Sequence, residues 1–185
     1  MRKNSVLQVV VMAMLFVITA AKAESAEAPQ EKATAEQKLE SVNYLVGTWN
    51  CAHTVGTFSG TYTTTYTKVL GGRWLQQRYD FPPTKSGGHD EPQITAEVLM
   101  GFDERRQGWV RFFANSEGQY FPIRMTDNGN GWSWKYVTFF TRTTPETPSP
   151  DATFTKKSDT EYLIDGPTYP LDGTTVTEHH TCHKL

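Results

Sequence analysis

The sequence predicts an all-β fold: an antiparallel up-and-down β-barrel of about ten strands with a short N-terminal helix. Three observations predict it. After Gly47, runs of β-branched and aromatic residues recur with turn residues between them at spacings of about 8–12 residues. Helical periodicity is confined to the region just before Gly47, so no crossover helices interrupt the strands. Threonine and aromatic residues are abundant, with Trp 5, Tyr 8 and Phe 10, which favours pleated and half-buried surfaces.

The chain opens with the pattern of a secretory signal. Arg2 and Lys3 form a positive start, Val6 to Ala20 is apolar apart from Gln8 and Thr19, and Ala21-Lys22-Ala23 offers a small-x-small cleavage site. The apolar run is shorter than the roughly 20 residues of a membrane span. The expectation is residues 1–23 as a removed signal peptide, with no stable membrane span after cleavage. No cysteine stands beside the cleavage site to carry a lipid. Cleavage removes Arg2, Lys3 and Lys22 and no acid, moving the formal net charge from −2 to −5. That balance lacks the basic footprint of a nucleic-acid binder. Residues 24–33 are polar and aperiodic, a disordered leader. Residues 34–185 then form one domain, large enough for a single core.

Within that domain Thr34-Ala35-Glu36-Gln37 has capping-box spacing, and Leu39, Val42, Tyr44 and Leu45 follow at helical intervals up to Gly47. The expected helix is Ala35–Leu45. Strands follow at Thr48–Val55 and Thr61–Val69, then a two-residue Gly71-Gly72 turn and a strand at Arg73–Phe81. Pro82–Pro92 reads as a surface loop. Further strands are expected at Ile94–Phe102, Trp109–Ala114, Tyr120–Thr126 and Trp132–Arg142, with turns at Asp103–Arg106 and Asn128–Gly131. Thr144–Asp151 is a Pro/Thr-rich loop. Ala152–Lys157, Glu161–Asp165 and, after an Asp172-Gly173 turn, Thr174–His183 complete the set.

A helix leading into Leu45-Val46-Gly47-Thr48-Trp49 resembles the opening of the lipocalin-like, or calycin, barrels. With Gly71-Gly72-Arg73-Trp74-Leu75-Gln76-Gln77 and Leu99-Met100-Gly101-Phe102-Asp103 in that order, the chain is similar to an uncharacterised family of bacterial calycin-like domains. The resemblance runs from about Leu39 to Cys182. It implies a barrel with an internal cavity, frequent export and no established activity. More distantly the chain resembles nitrobindin, a haem-binding barrel with a Gly-x-Trp-x-Gly-x-Gly opening and a late histidine ligand. Cys51 and His53 stand where that pattern has its second and third glycines. Haem, with His180 as its ligand, is the alternative cofactor reading.

In a barrel with an even number of strands the first and last meet antiparallel. Cys51 lies on the first and Cys182 on the last, and two cysteines in an exported chain favour a disulfide. The same register sets His53 opposite His180 on one face. Reduced Cys and His would be metal ligands, and His53 with His180 is the metal alternative. Four ligands on neighbouring strands lie close to a plane, however, and an oxidising compartment removes the thiolates. A structural disulfide is therefore the primary reading.

The interior face is expected to carry Trp49, Tyr62, Tyr66, Trp132, Trp134, Tyr136 and His180, with Phe112 or its neighbours Trp109, Arg111 and Phe113 lining the middle. Such a lining suits a small, mostly hydrophobic molecule with a polar handle. The competing reading is a barrel filled by these same side chains, with a structural or partner-binding role. Arg73, Arg78, Arg111 and Arg124 read as solvated outer residues, although an inward one would pair with a ligand carboxylate. No nucleophile elbow, His-x-x-x-His, phosphate loop or dinucleotide fingerprint occurs, so catalysis has no sequence support. The expected compartment is periplasmic or extracellular.

Overall fold

The computed structural model describes residues 32–86, 89–136, 152–171 and 174–185; within these, 84–86, 89–91, 135–136, 167–171 and 174–175 are described by strand position alone. The chain starts with helix α1 (Ala35–Ser41) and one turn of 3-10 helix at Asn43–Leu45. The helical pattern thus breaks in two at Val42 rather than running through to Leu45. Thr34 caps α1 through the expected box, its hydroxyl accepting from the Gln37 amide at 3.2 Å while Gln37 Oε1 accepts from the Thr34 amide at 2.9 Å. Replacing Thr34 by Ala is expected to cost about 1 kcal/mol, read as a lower urea midpoint with an unchanged slope.

Strands β1 (Gly47–Val55), β2 (Phe58–Val69) and β3 (Trp74–Phe81) follow. The short strands β4 (Thr84–Ser86) and β5 (His89–Glu91) pair only with each other. After them come β6 (Ile94–Asp103), β7 (Gly108–Asn115), β8 (Tyr120–Asp127), β9 (Gly131–Tyr136), β10 (Ala152–Lys156), β11 (Glu161–Leu171) and β12 (Thr174–Lys184). Ten of them close into an antiparallel barrel in the order β1-β12-β11-β10-β9-β8-β7-β6-β3-β2. Apart from the skipped β4–β5 hairpin, this is the up-and-down order expected of the sequence.

Four details differ from the sequence reading. The loop at Pro82–Pro92 contains the β4–β5 hairpin. The β2–β3 turn spans four residues, Leu70–Arg73, with Leu70, Gly71 and Gly72 all at positive φ, so it is not a two-residue turn. β2 starts at Phe58, three residues before the expected Thr61, directly opposite Val55. β11 extends past Asp165 to Leu171 through an irregularity between Asp165 and Thr168. The parts of the expected Trp132–Arg142 strand beyond Tyr136, the Thr144–Asp151 loop and the Asp172-Gly173 turn lie outside the described residues, as do the signal peptide and most of the leader.

The quoted motifs have a packing basis. Trp74 lies across from Gly101, and a Cβ on Gly101 would stand 2.7 Å from the Trp74 ring, so the flat indole covers a bare backbone. Gly47 turns the helical segment into β1 at φ +126, a conformation side chains rarely adopt.

Alternation divides each strand between interior and solvent. Leu39, Val42 and Leu45 close one end of the barrel over Trp49, which is fully buried and donates its indole N–H to the Leu45 carbonyl at 2.7 Å. Polar contacts pin this floor. The Ala35 amide donates to Glu104 at 2.7 Å, Lys68 reaches Glu40 at 3.1 Å, and Lys184 donates to the Tyr44 carbonyl at 2.7 Å. The two lysine ion pairs at this end, Lys68–Glu40 and Lys38–Asp127 at 3.4 Å, lie at the surface, so the apolar plug and not the charges holds the helix. Among the described residues, no helix is long and apolar enough to cross a membrane.

Candidate functional site

The interior is built from the inward faces of all ten strands, and its lower half is apolar. Trp109 packs edge-on against Trp132 at 5.4 Å, Trp132 against Phe154 at 4.9 Å, and Phe154 stacks on Tyr162 at 4.6 Å. Tyr162 in turn meets Trp49 at 4.7 Å. These contacts make a continuous aromatic layer above the helix.

The disulfide lies inside this layer. Cys51 and Cys182 are directly opposed on β1 and β12, with Cα atoms 4.1 Å apart and both residues fully buried. Tyr162 and Tyr62 direct their hydroxyls toward the two sulfurs, at 3.7 and 3.9 Å. The bridge and the barrel closure therefore coincide as the register argument requires.

One pleat further along, His53 faces His180, their rings stacked at 5.7 Å. Tyr62 shares a hydrogen bond with His180 Nδ1 at 3.0 Å, and Glu178 lies 3.5 Å from Nε2 of the same ring. His53 packs against Phe58 and Phe81, and its Nδ1 is buried without a hydrogen-bond partner among the described residues. Burial holds the His53 imidazole below its ordinary pKa; His180 beside it adds to the depression and Glu178 opposes it. The unfolded chain therefore takes a proton here before the folded one does. Stability is complete above the ordinary histidine range and falls as the pH drops below about 6.5. Urea midpoints measured from about pH 7.5 to about pH 5 are expected to fall, and to fall less steeply in His53→Gln.

The middle of the barrel is polar on one side. Arg111, on β7 between Trp109 and Phe113, points inward and donates to Gln77 Oε1 at 3.2 Å and to the Tyr79 hydroxyl. Its guanidinium also sits 5.5 Å from the Trp134 ring and 6.0 Å from that of Tyr79. Gln77 is fixed by donating to Thr64 at 3.1 Å, and Thr64 by donating to the Arg78 carbonyl at 2.9 Å. Tyr66 donates to Tyr162 at 3.4 Å. Burial raises the pKa of Tyr62, Tyr66 and Tyr162, so all three are neutral phenols at physiological pH. Trp134, 4% exposed, has no hydrogen-bond partner for its Nε1 among the described residues.

Tyr66, Gln77, Tyr79, Arg111 and Trp134 border a cavity of about 10 Å³, with Met100, Met125 and other apolar side chains completing its wall. That is about the room one water molecule requires. The aromatics expected to line the interior do so at Trp49, Tyr62, Tyr66, Trp132 and Trp134, and His180 joins them nearer the other end. Tyr136 is described only by its place on β9, opposite Ile123. Phe112 is a correction: it is 45% exposed on the outer face beside Tyr120, because the inward set on β7 is Trp109, Arg111 and Phe113. Arg111 belongs to the alternative β7 face, with Trp109 and Phe113, and points inward, against the reading of the strand arginines as solvated outer residues. Arg78, by contrast, stays outside with Asp80 and Glu97.

Haem and a metal ion each make demands that this packing can be held against. A haem ring needs a cleft many times the size of the cavity beside Trp134, and the late histidine His180 already engages Tyr62 and faces Glu178. The residues present do not fit that group. For a metal ion, the cysteines are committed to the disulfide, and no group of three or more His, Cys, Asp or Glu among the described residues is arranged to hold one. The sequence was also compared with known proteins: no family model matches it, and no curated protein matches it.

Proposed function

We propose that the chain is an exported, calycin-like barrel that binds a small, mostly hydrophobic molecule in its interior. The supporting observation is that polar groups are buried around a cavity in an otherwise aromatic core. Trp134 Nε1 is buried without a partner among the described residues, and Gln77 and Arg111 stand beside it. A barrel filled purely for stability gains nothing from an unsatisfied donor, which costs about 1–3 kcal/mol when no acceptor meets it. A bound molecule recovers that cost. The helix closes one end of the barrel, and His53 and His180 lie toward the other.

The cavity is far below the roughly 300 Å³ of ordinary ligand pockets. Binding on this reading proceeds by repacking, and Met100 and Met125 are the side chains suited to it, being unbranched and adaptable. The ligand is correspondingly small. Export is supported by the signal-like start and by the buried disulfide, which persists in oxidising compartments.

Titration with N-phenyl-1-naphthylamine, a neutral probe that brightens in apolar surroundings, tests the reading. Saturable enhancement is expected, with quenching of tryptophan emission, and Trp134→Ala is expected to weaken binding about tenfold or more. Absence of saturable enhancement would favour the filled, structural barrel.

A further inference from the structure

We propose that the cavity beside Trp134 is a binding site for one internal water molecule, which ties opposite walls of the barrel together through hydrogen bonds. The inference is independent of the ligand-binding reading and rests on size, donor count and topology. The cavity measures about 10 Å³, against the roughly 10–15 Å³ that a single water needs. That figure suits water and nothing larger while the core keeps this packing.

The polar groups of the wall narrow the choice. Trp134 Nε1 is a buried donor with no partner among the described residues. The Tyr79 hydroxyl accepts from Arg111 and keeps its own proton to give. Tyr66 gives its proton to Tyr162, so its oxygen retains lone pairs, and Gln77 Oε1 accepts from Arg111 with a lone pair to spare. All four residues border the cavity. The wall therefore offers protons from Trp134 and Tyr79 and acceptor oxygens from Tyr66 and Gln77. A water molecule both accepts and donates, and it meets this wall on every side. An anion would leave the oxygens of Tyr66 and Gln77 without a proton. A cation would lie next to the Arg111 guanidinium, and burial keeps the Tyr66 phenol neutral, so no negative charge holds it there.

Topology gives the water its role. Trp134 is on β9 and Tyr66 on β2, which stand diametrically opposite in the ring of ten strands. The described side-chain hydrogen bonds around the cavity join β2, β3, β7 and β11, and Trp134 enters none of them. A shared water brings β9 into that network across the middle of the barrel. A ligand that repacks Met100 and Met125 on the reading above takes over the bond to Trp134 when it enters.

The test is water-selective NMR on the full, disulfide-bonded, isotope-labelled chain, shown by native mass spectrometry to carry no adduct. The signals read are the indole N–H protons. That of Trp134 is identified by triple-resonance assignment, with Trp134→Phe as a second check where the variant folds. It is expected to show cross-peaks to water of opposite sign in NOE and ROE spectra, the mark of a held water as distinct from proton exchange. Trp49, whose indole N–H already donates to the Leu45 carbonyl, is expected to show none. A Trp134 proton without a water cross-peak, or with cross-peaks of one sign in both spectra, would overturn the water site. The ligand-binding reading would still stand or fall on its own titration.

Discussion

Loss of the Cys51–Cys182 bridge is expected to destabilise the protein by about 2–5 kcal/mol, through the double substitution Cys51→Ala and Cys182→Ala or through reduction. The bridge spans 131 residues and ties the first strand to the last, so nearly the whole barrel lies within the loop it closes. Without it, the unfolded chain regains the freedom to separate its ends, and the β1–β12 seam is held by ladder hydrogen bonds and side-chain packing alone. Both cysteines are fully buried among Tyr62, Tyr162 and Trp49, so removing the sulfurs also leaves a gap in the aromatic layer. Urea unfolding of the oxidised chain, the reduced chain and the double variant measures these contributions. The reduced chain reports the cross-link and the double variant adds the packing loss. A midpoint unchanged on complete reduction would contradict the view of the bridge as the closure of the barrel.

Trp49→Ala is expected to cost about 3–5 kcal/mol. Trp49 is completely buried, packs on Tyr162 and is bonded to the carbonyl of Leu45, so one side chain joins the helical plug to the aromatic layer. Its removal opens a void between the two and deprives the plug of its anchor. Hydrogen exchange is expected to rise first in α1 and the turn at Asn43–Leu45, ahead of the barrel strands. Trp49→Phe retains most of the apolar area and loses the hydrogen bond, for an expected cost of about 1–2 kcal/mol. Equal stability of Trp49→Ala and the natural chain would show that the helix is dispensable to the floor.

What the sequence made legible divides along physical lines. Local rules placed the capped helix start, because Thr34 and Gln37 interact over three residues and need nothing distant. Alternation placed Tyr62, Tyr66, Trp132 and Trp134 inward, because one face of each strand carries the large rings. The pairing of Cys51 with Cys182 and of His53 with His180 followed from closure: once the first and last strands must meet, one covalent clue sets the register of both. These inferences use short-range chemistry or a topological necessity.

The misreadings arise where two rules compete. On β7, Trp109, Arg111 and Phe113 alternate with Val110 and Phe112, so both faces offer an aromatic and the arginine argues against the correct one. In the structure Trp109, Arg111 and Phe113 are inward, and the guanidinium reaches across β6 to a polar patch formed by Gln77 and Tyr79 on β3 and backed by Thr64 on β2. That patch is assembled from β2, β3 and β7, and nothing in the spacing of any one strand reveals it. The sequence traces are Gln77 between Leu75 and Tyr79 and Thr64 between Tyr62 and Tyr66, polar residues in buried registers. The β4–β5 hairpin was obscured in a similar way, since its prolines and glycines read as loop while its pairing is purely local.

The central claim is that the interior holds a small ligand, and native mass spectrometry of the oxidised protein from its own source, purified without denaturation, tests it most directly. The account predicts the mass of the disulfide-bonded chain plus one small adduct that is shed on gentle activation. The bare chain mass as the sole species would contradict it.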